Sequence, residues 1–218
     1  MTLTNPIKRL GAIGDIHAEN QLLNQALQFL NTQALDIIVC VGDIADGSGS
    51  VNACCDSLKT ENVLTVKGNH DNWLLDNEIR GIPEATLLST LTNASHEFLQ
   101  SLPQTRELET VAGLLLLCHG LGENDMEAIM PSDYGYGLQH NIELQNLIRD
   151  NRYRFIINGH THFKMVRQIG PLIIINAGTL KWAHQSGFAI VDFEKSKVQF
   201  YEFYSKGESI EKTEQISW

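Results

Sequence analysis

The stretch "VLTVKGNHDNW", residues 63–73, changes character halfway along. Val63, Leu64 and Val66 read as a buried strand, Gly68 breaks the run, and Asn69, His70 and Asp71 follow with no apolar residue among them. A core strand that ends on a glycine and three adjacent coordinating side chains is presenting those side chains to something. The same event recurs: "IGDIH" (13–17), "VGDIAD" (41–46), "CHG" (118–120) and "NGHTH" (158–162) each follow an apolar run directly.

Outward from these endings, strand-like runs alternate with helix-like ones. "KRLGAIGD" precedes a helical pattern that puts Leu22, Leu23, Ala26, Leu27 and Leu30 on one face, and "ALDIIVCVGD" leads to the helix-compatible "SVNACCDSLKTE". The opening stretch leads to a helical region from about Glu84 to Leu102, and "LLLLCHG" leads through a loop to the helical "HNIELQNLIRD". "RFIINGHTH" and "PLIIINAGT" read as strands with a turn between them, and "FAIVDFEKSKVQFYEFY" reads as a β-hairpin closed by "EKSK". Such β-α alternation predicts an α/β core with at least part of its sheet parallel. With 218 residues, 43% of them hydrophobic, and no internal repeat or linker-like tract, one domain over 1–218 is expected. The stretch 72–103 is long for a simple connection and reads either as a helical cap over the strand ends or as a packing helix.

Composition excludes several classes. The longest apolar run, Val111 to Cys118, falls far short of a membrane span, and "MTLTNPIKRLGAIGD" has no signal-peptide core. Cys40, Cys54, Cys55 and Cys118 lack zinc-finger spacing, and a reducing cytoplasm is expected. A formal net charge of −10 without a Lys/Arg cluster argues against a nucleic-acid partner.

In open α/β sheets ligands collect beyond the carboxyl ends of the strands. One rim therefore receives Asp15, His17, Asp43, Asn69, His70, His119, His160 and His162, among them five of the eight histidines. Carboxylate, imidazole and amide donors without thiolate suit Mn, Fe or Zn. Asp15 and His17, like His160 and His162, alternate on an extended segment, so each pair points to one side. The donors are too many for one tetrahedral ion, and two metals sharing a bridging carboxylate would use them all. Each motif taken singly has a plainer reading: a turn that caps a helix, or a structural histidine. Their conjunction, in this order and always at strand ends, points to a metal site. His96, His140 and His184 lie outside it and read as surface or packing residues, and nothing ranks Asn72, Trp73, Glu123 or Asn124 as substrate contacts.

The five motifs, D-x-H, G-D, G-N-H-D, H and G-H-x-H, resemble the calcineurin-like metallophosphoesterase superfamily in order from Asp15 to His162. The resemblance implies a four-layer α/β/β/α sandwich of two mixed sheets flanked by helices, with a dinuclear metal site at the C-terminal ends of strands. It implies Asp15, His17 and His162 on a first metal, Asn69, His119 and His160 on a second, and Asp43 bridging them. The ions would be Mn, Fe, Zn or Ni. His70 matches the family's acid or phosphate-contacting histidine, and Asp71 the carboxylate that orients it. Protein Ser/Thr phosphatases of the superfamily carry an arginine soon after G-D and then G-N-H-E. "GDIADG" and "GNHD" depart from both, so a small prokaryotic-type phosphoesterase is expected. Its substrates would be small-molecule phosphate esters, nucleotide-like diesters or monoesters. Hydroxide generated between the metals would attack, and His70 would protonate the leaving alkoxide. The alternatives are a binding scaffold on the same fold, such as a retromer subunit, and a nuclease. Scaffolds typically lose ligands or the acid histidine, and this chain retains all of them.

Overall fold

In the computed structural model, which describes residues 5–78, 81–205 and 209–218, the chain begins with β1 (Arg9–Ile13), α1 (Asn20–Asn31), β2 (Ile37–Cys40), α2 (Val51–Thr60) and β3 (Leu64–Thr65). These strands pair parallel, because each returns through a helix laid over one face. Helix α1 forms on the expected stripe: Leu22, Leu23, Ala26, Leu27 and Leu30 are all buried. Helix α2 starts at Ser50, whose hydroxyl accepts from Ala53 N at 3.2 Å. Then come α3 (Asn69–Leu75), α4 (Asn93–Ser101) and the hairpin β4 (Thr105–Thr110) and β5 (Gly113–Cys118). Helices α5 (Tyr136–His140) and α6 (Ile142–Asp150) lead to β6 (Phe155–Asn158), β7 (Met165–Ile169) and β8 (Leu172–Asn176). The chain closes with β9 (Gly187–Asp192), β10 (Lys197–Tyr204) and β11 (Ser209–Ser217).

Two mixed sheets result, one ordered β11-β10-β9-β1-β2-β3 and the other β4-β5-β6-β8-β7. Three apolar clusters define the layers. Leu10, Ala12, Val39 and Val41 of the first sheet meet Leu115, Leu117, Phe155 and Ile173 of the second. The opposite face of the first sheet, with Ile13 and Cys40, carries α1 and α2 through Leu23, Leu30, Cys54 and Leu58. Leu116, Ile156 and Ile174 point the other way and carry α6 through Leu144. Adjacent residues of one strand thus serve different layers, which is why the central strands are apolar throughout. The two mixed sheets flanked by helices are as the motif resemblance implied.

Several elements differ from expectation. The helix over Glu84 to Leu102 shortens to α4, preceded by a 3-10 turn at Leu88–Thr90. The Asn52 side chain takes the backbone there, donating to Thr90 O at 2.9 Å and accepting from Thr92 N at 3.0 Å, and Thr92 then caps α4 through Ser95 N. Helix α4 buries Leu99 among the side chains of α2 and so packs on the core, and residues 79 and 80 of the stretch 72–103 lie outside the described residues. Strand β7 lies between the two strands read as joined by a turn, and β4 and β11 were not legible as strands. Among the described residues no helix is long and apolar enough to cross a membrane.

Candidate metal centre and active site

Every expected ligand sits just past a parallel strand. Asp15 and His17 follow β1, Asp43 follows β2, and Asn69, His70 and Asp71 form the first turn of α3 after β3. His119 follows β5, and His160 and His162 follow β6, so both sheets deliver donors to one place. The local backbone is unusual: His17, Asp43, His160 and His162 have φ of 46°, 48°, 66° and 63°. Non-glycine residues adopt that region only when their surroundings hold them there, and such strain gathers at functional sites. Two glycines make the close approaches. A Cβ on Gly68 would strike the Asp43 carboxylate, and one on Gly159 the Asp15 carboxylate.

Backbone carbonyls fix the rings. His17 Nδ1 donates to Asp46 O at 3.0 Å, and His119 Nδ1 to Val41 O at 2.9 Å, which leaves Nε2 of each facing inward. His17 Nε2 and His162 Nε2 lie 3.0 Å apart, and His162 Nε2 lies 3.0 Å from Asp15 Oδ2. Asp15 Oδ2 is buried, yet it accepts no properly directed hydrogen bond from any described residue. On the other side, His119 Nε2 and His160 Nδ1 converge on Asn69 Oδ1 at 2.8 and 2.9 Å. Asp43 Oδ2 stands between the two groups, 3.3 Å from His119 Nε2 and 3.8 Å from His17 Nε2. Facing ring nitrogens and an orphaned buried carboxylate oxygen are a donor set that fits divalent cations. Asp15, His17 and His162 could hold an ion on one side and Asn69, His119 and His160 on the other, with Asp43 shared.

The electrostatics follow from burial and proximity. Burial opposes charge on His119, but Asp43 and then Asp15 outweigh it and raise the pKa to about 10. Burial would raise Asp43, yet His119, His70 and His17 hold it well below the usual carboxylate range. Burial lowers His17 and, together with neighbouring His119, His160. Positive charge at His119 thus offsets the two carboxylates, a role that a divalent ion held here would take over in place of the proton.

His70 lies beside the candidate ligands and not among the two groups. Its Nε2 is 3.9 Å from Asp43 Oδ2, and its Nδ1 is 2.7 Å from Asp46 Oδ2. The expectation that Asp71 orients His70 is corrected here. Asp71 Oδ1 accepts from Ile44 N at 2.8 Å and Ala45 N at 3.0 Å, and its Oδ2 accepts from Gly68 N at 3.0 Å. As the third residue of α3 its side chain turns inward, tying the Asp43 loop to the start of the helix. Burial and Asp43 push its pKa up to about 6 against those N–H donors.

Asp46 is the residue that sequence reasoning missed. Its carbonyl orients His17 and its carboxylate His70, while its Oδ1 accepts from Thr86 N at 2.7 Å and its own N–H donates to Thr86 Oγ1 at 3.0 Å. The signal was present in "GDIAD", a second acid three residues past a ligand. His184, read as a surface or packing residue, packs its ring edge to face on that of His162 at 5.0 Å. Trp73 meets His70 likewise at 4.9 Å. Asn72 is held by Asp125 and Gln104, Glu123 by Thr105, and Asn124 binds the backbone N–H groups of Met126 and Glu127. His96 lies on α4, and exposed His140 stacks on Tyr136.

Fold and site together define a class: a two-sheet α/β protein whose parallel strands converge on a histidine–carboxylate cluster able to hold metal. Residues 9–196 match the calcineurin-like phosphoesterase superfamily domain, and the chain belongs to that superfamily. An uncharacterized protein of Methanocaldococcus jannaschii is 30% identical over 101 residues, which span 43% of this chain and 42% of that relative. Among solved structures, a hypothetical protein, PH1004, from Pyrococcus horikoshii superposes with a TM-score of 0.72 at 18% identity, over 89% of this chain and 87% of that one. A metallophosphoesterase from Sphaerobacter thermophilus gives 0.62 at 19% identity, over 91% and 88%. At these identities the structures share the fold with this chain, and the functional reading rests on the site and the family.

Proposed function

We propose that the chain is a metal-dependent phosphoesterase that hydrolyses small-molecule, nucleotide-like phosphate esters, with two divalent ions held by Asp15, His17, Asp43, Asn69, His119, His160 and His162. The observation that carries this reading is the placement of Asp43, whose Oδ2 faces His119, His17 and His70 within 3.9 Å. One carboxylate thus relates both ligand groups to the acid candidate. Divalent ions supply Lewis-acid charge for the phosphoryl oxygens and activate water. Asp43 and Asp15 hold the negative charge that binds those ions, and the backbone-fixed rings of His17 and His119 keep their lone pairs aimed inward. His70 Nε2 delivers a proton to the departing alkoxide, while Asp46 fixes the ring through Nδ1. The four described cysteines are free and buried, which suits a reducing cytoplasm.

The test is phosphate release by protein stripped of metal and resupplied with Mn²⁺, Fe²⁺, Ni²⁺ or Zn²⁺, over nucleotides, cyclic nucleotides and aryl diesters. Activity that requires added metal is expected, and inactivity with every metal and ester would remove the reading. Asp43→Asn is expected to lose metal at both positions after dialysis, because a neutral amide bridges two cations poorly. Asp15→Asn is expected to lose one. Metal analysis that found two ions retained in Asp43→Asn would overturn the shared role of that residue.

A further inference from the structure

A cleft of about 570 Å³ opens off the ligand cluster, with His162 forming part of its wall. His184, in the same wall, lies edge to face with His162, the ring planes at 84°. The position of His184 is built into the site. Leu180 N and Thr179 Oγ1 both donate to Asp15 O, at 2.7 and 2.8 Å, and Lys181 N donates to Thr179 Oγ1 at 3.0 Å. The short turn that carries His184 therefore hangs from a candidate ligand residue, and ligand cluster and cleft wall are one construction.

The chemistry of the cleft differs from that of the cluster. Phe163, the residue after His162, also lines it and is 55% exposed. Beyond the aromatic groups stand Lys164, Glu202 and Glu214. Lys164 pairs with Glu202, so Glu214 leaves this described wall with one more carboxylate than ammonium. A flat ring entering beside Phe163 and His184 gains stacking and edge contacts. A second phosphate or carboxylate there meets like charge that the pair does not cancel.

We propose that this cleft holds the organic group of the ester and selects a planar, uncharged or cationic group, such as a nucleobase, over a second anionic group. The inference rests on the phosphoesterase reading for the word ester, and it names the substrate class of that site. The phosphoryl group goes to the cluster and the planar group to the cleft. Esters of nucleosides with a single phosphate are then preferred to nucleoside polyphosphates and to esters bearing a carboxylate.

Two measurements test this. Calorimetric titration with adenosine, which has no phosphate, reads the cleft without any turnover. Adenosine is expected to bind the unmodified protein, and Phe163→Ala and His184→Ala are each expected to weaken it roughly tenfold, the usual worth of one stacking partner for a base. No adenosine binding, or binding unchanged in both variants, would overturn the inference. The second measurement is steady-state hydrolysis by manganese-loaded protein. Phe163→Ala should raise KM for adenosine 5'-monophosphate by a similar factor with kcat retained, and leave methyl phosphate unaffected. Glu214→Gln should lower KM for 3-phosphoglycerate severalfold and leave glycerol 3-phosphate where it was. If Glu214→Gln moves neither ester, charge selection by the cleft is wrong. If no ester is hydrolysed with any metal while Phe163-dependent adenosine binding persists, the cleft stands and the phosphoesterase reading falls.

Discussion

His70 shows how much of the site a single residue decides. Asp46 and Asp71 are both buried carboxylates near it, but only Asp46 reaches its ring; Asp71 is consumed by three backbone N–H groups. If His70 is a general acid, its importance depends on how badly the departing oxygen needs a proton. His70→Ala should slow hydrolysis of alkyl or nucleoside esters roughly 10²–10⁴-fold and nitrophenyl esters far less, with metal content retained. A flat dependence on the leaving group would remove the acid role. Asp46→Asn should show the same leaving-group signature at roughly 10–100-fold, the range for a partner that orients a functional group. It should spare metal content, because His17 is held by the Asp46 backbone carbonyl and not by its side chain. Metal loss in Asp46→Asn, seen by elemental analysis, would show that the carboxylate supports the ligands as well. The convergence of these donors was legible in the sequence because strand, glycine and donor adjoin there. Which of two acids faces His70 was not, since it depends on α3 beginning at Asn69 and turning Asp71 inward.

At the scale of elements, Thr86, Thr90 and Thr92, between α3 and α4, couple that stretch to the site. Thr86 clasps Asp46 through two hydrogen bonds, and a few residues on, the Asn52 amide on α2 holds Thr90 and Thr92 through two more. Asn52→Ala removes a pair of backbone anchors remote from the ligands. It should lower stability by about 1–3 kcal/mol in denaturant titrations. It should also slow alkyl esters severalfold more than nitrophenyl esters, because loosening Thr86 loosens Asp46 and then His70. Equal loss on both ester types would mean that the segment does not act through His70. The same stretch shows where elements escape a sequence reading: Thr90 O and Thr92 N, within a helix-compatible run, bond to Asn52, a partner more than thirty residues earlier. Strands β4 and β11 escaped for another reason. Both lie at sheet edges, β11 with mostly exposed residues and β4 with Leu108 as its one aliphatic residue, so neither carries the apolar run that identified the central strands.

At the scale of the whole molecule, two sheets are pressed together by one apolar layer, and their parallel strands deliver opposite halves of a charged cluster into the seam. Such a seam is stable only if its charges are neutralised, and in the metal-free protein His119 does much of this. Its folded pKa of about 10 lies above the ordinary 6.5, so its contribution to stability is complete below about pH 6.5 and is lost as pH rises through 10. Both ring nitrogens of His119 face acceptors, Val41 O on one side and Asn69 Oδ1 with Asp43 on the other, as a doubly protonated ring requires. A metal ion needs the Nε2 lone pair, so loading at pH 7.5 should release about one proton from this residue. Calorimetric titration of Mn²⁺ in two buffers of different ionisation enthalpy measures that number directly. The melting temperature of EDTA-treated protein should fall between pH 7 and 10, while that of metal-loaded protein should stay level and lie higher at every pH in that range. Loading without proton release, together with parallel melting profiles, would show that His119 is already neutral and that its carboxylate neighbours are balanced elsewhere.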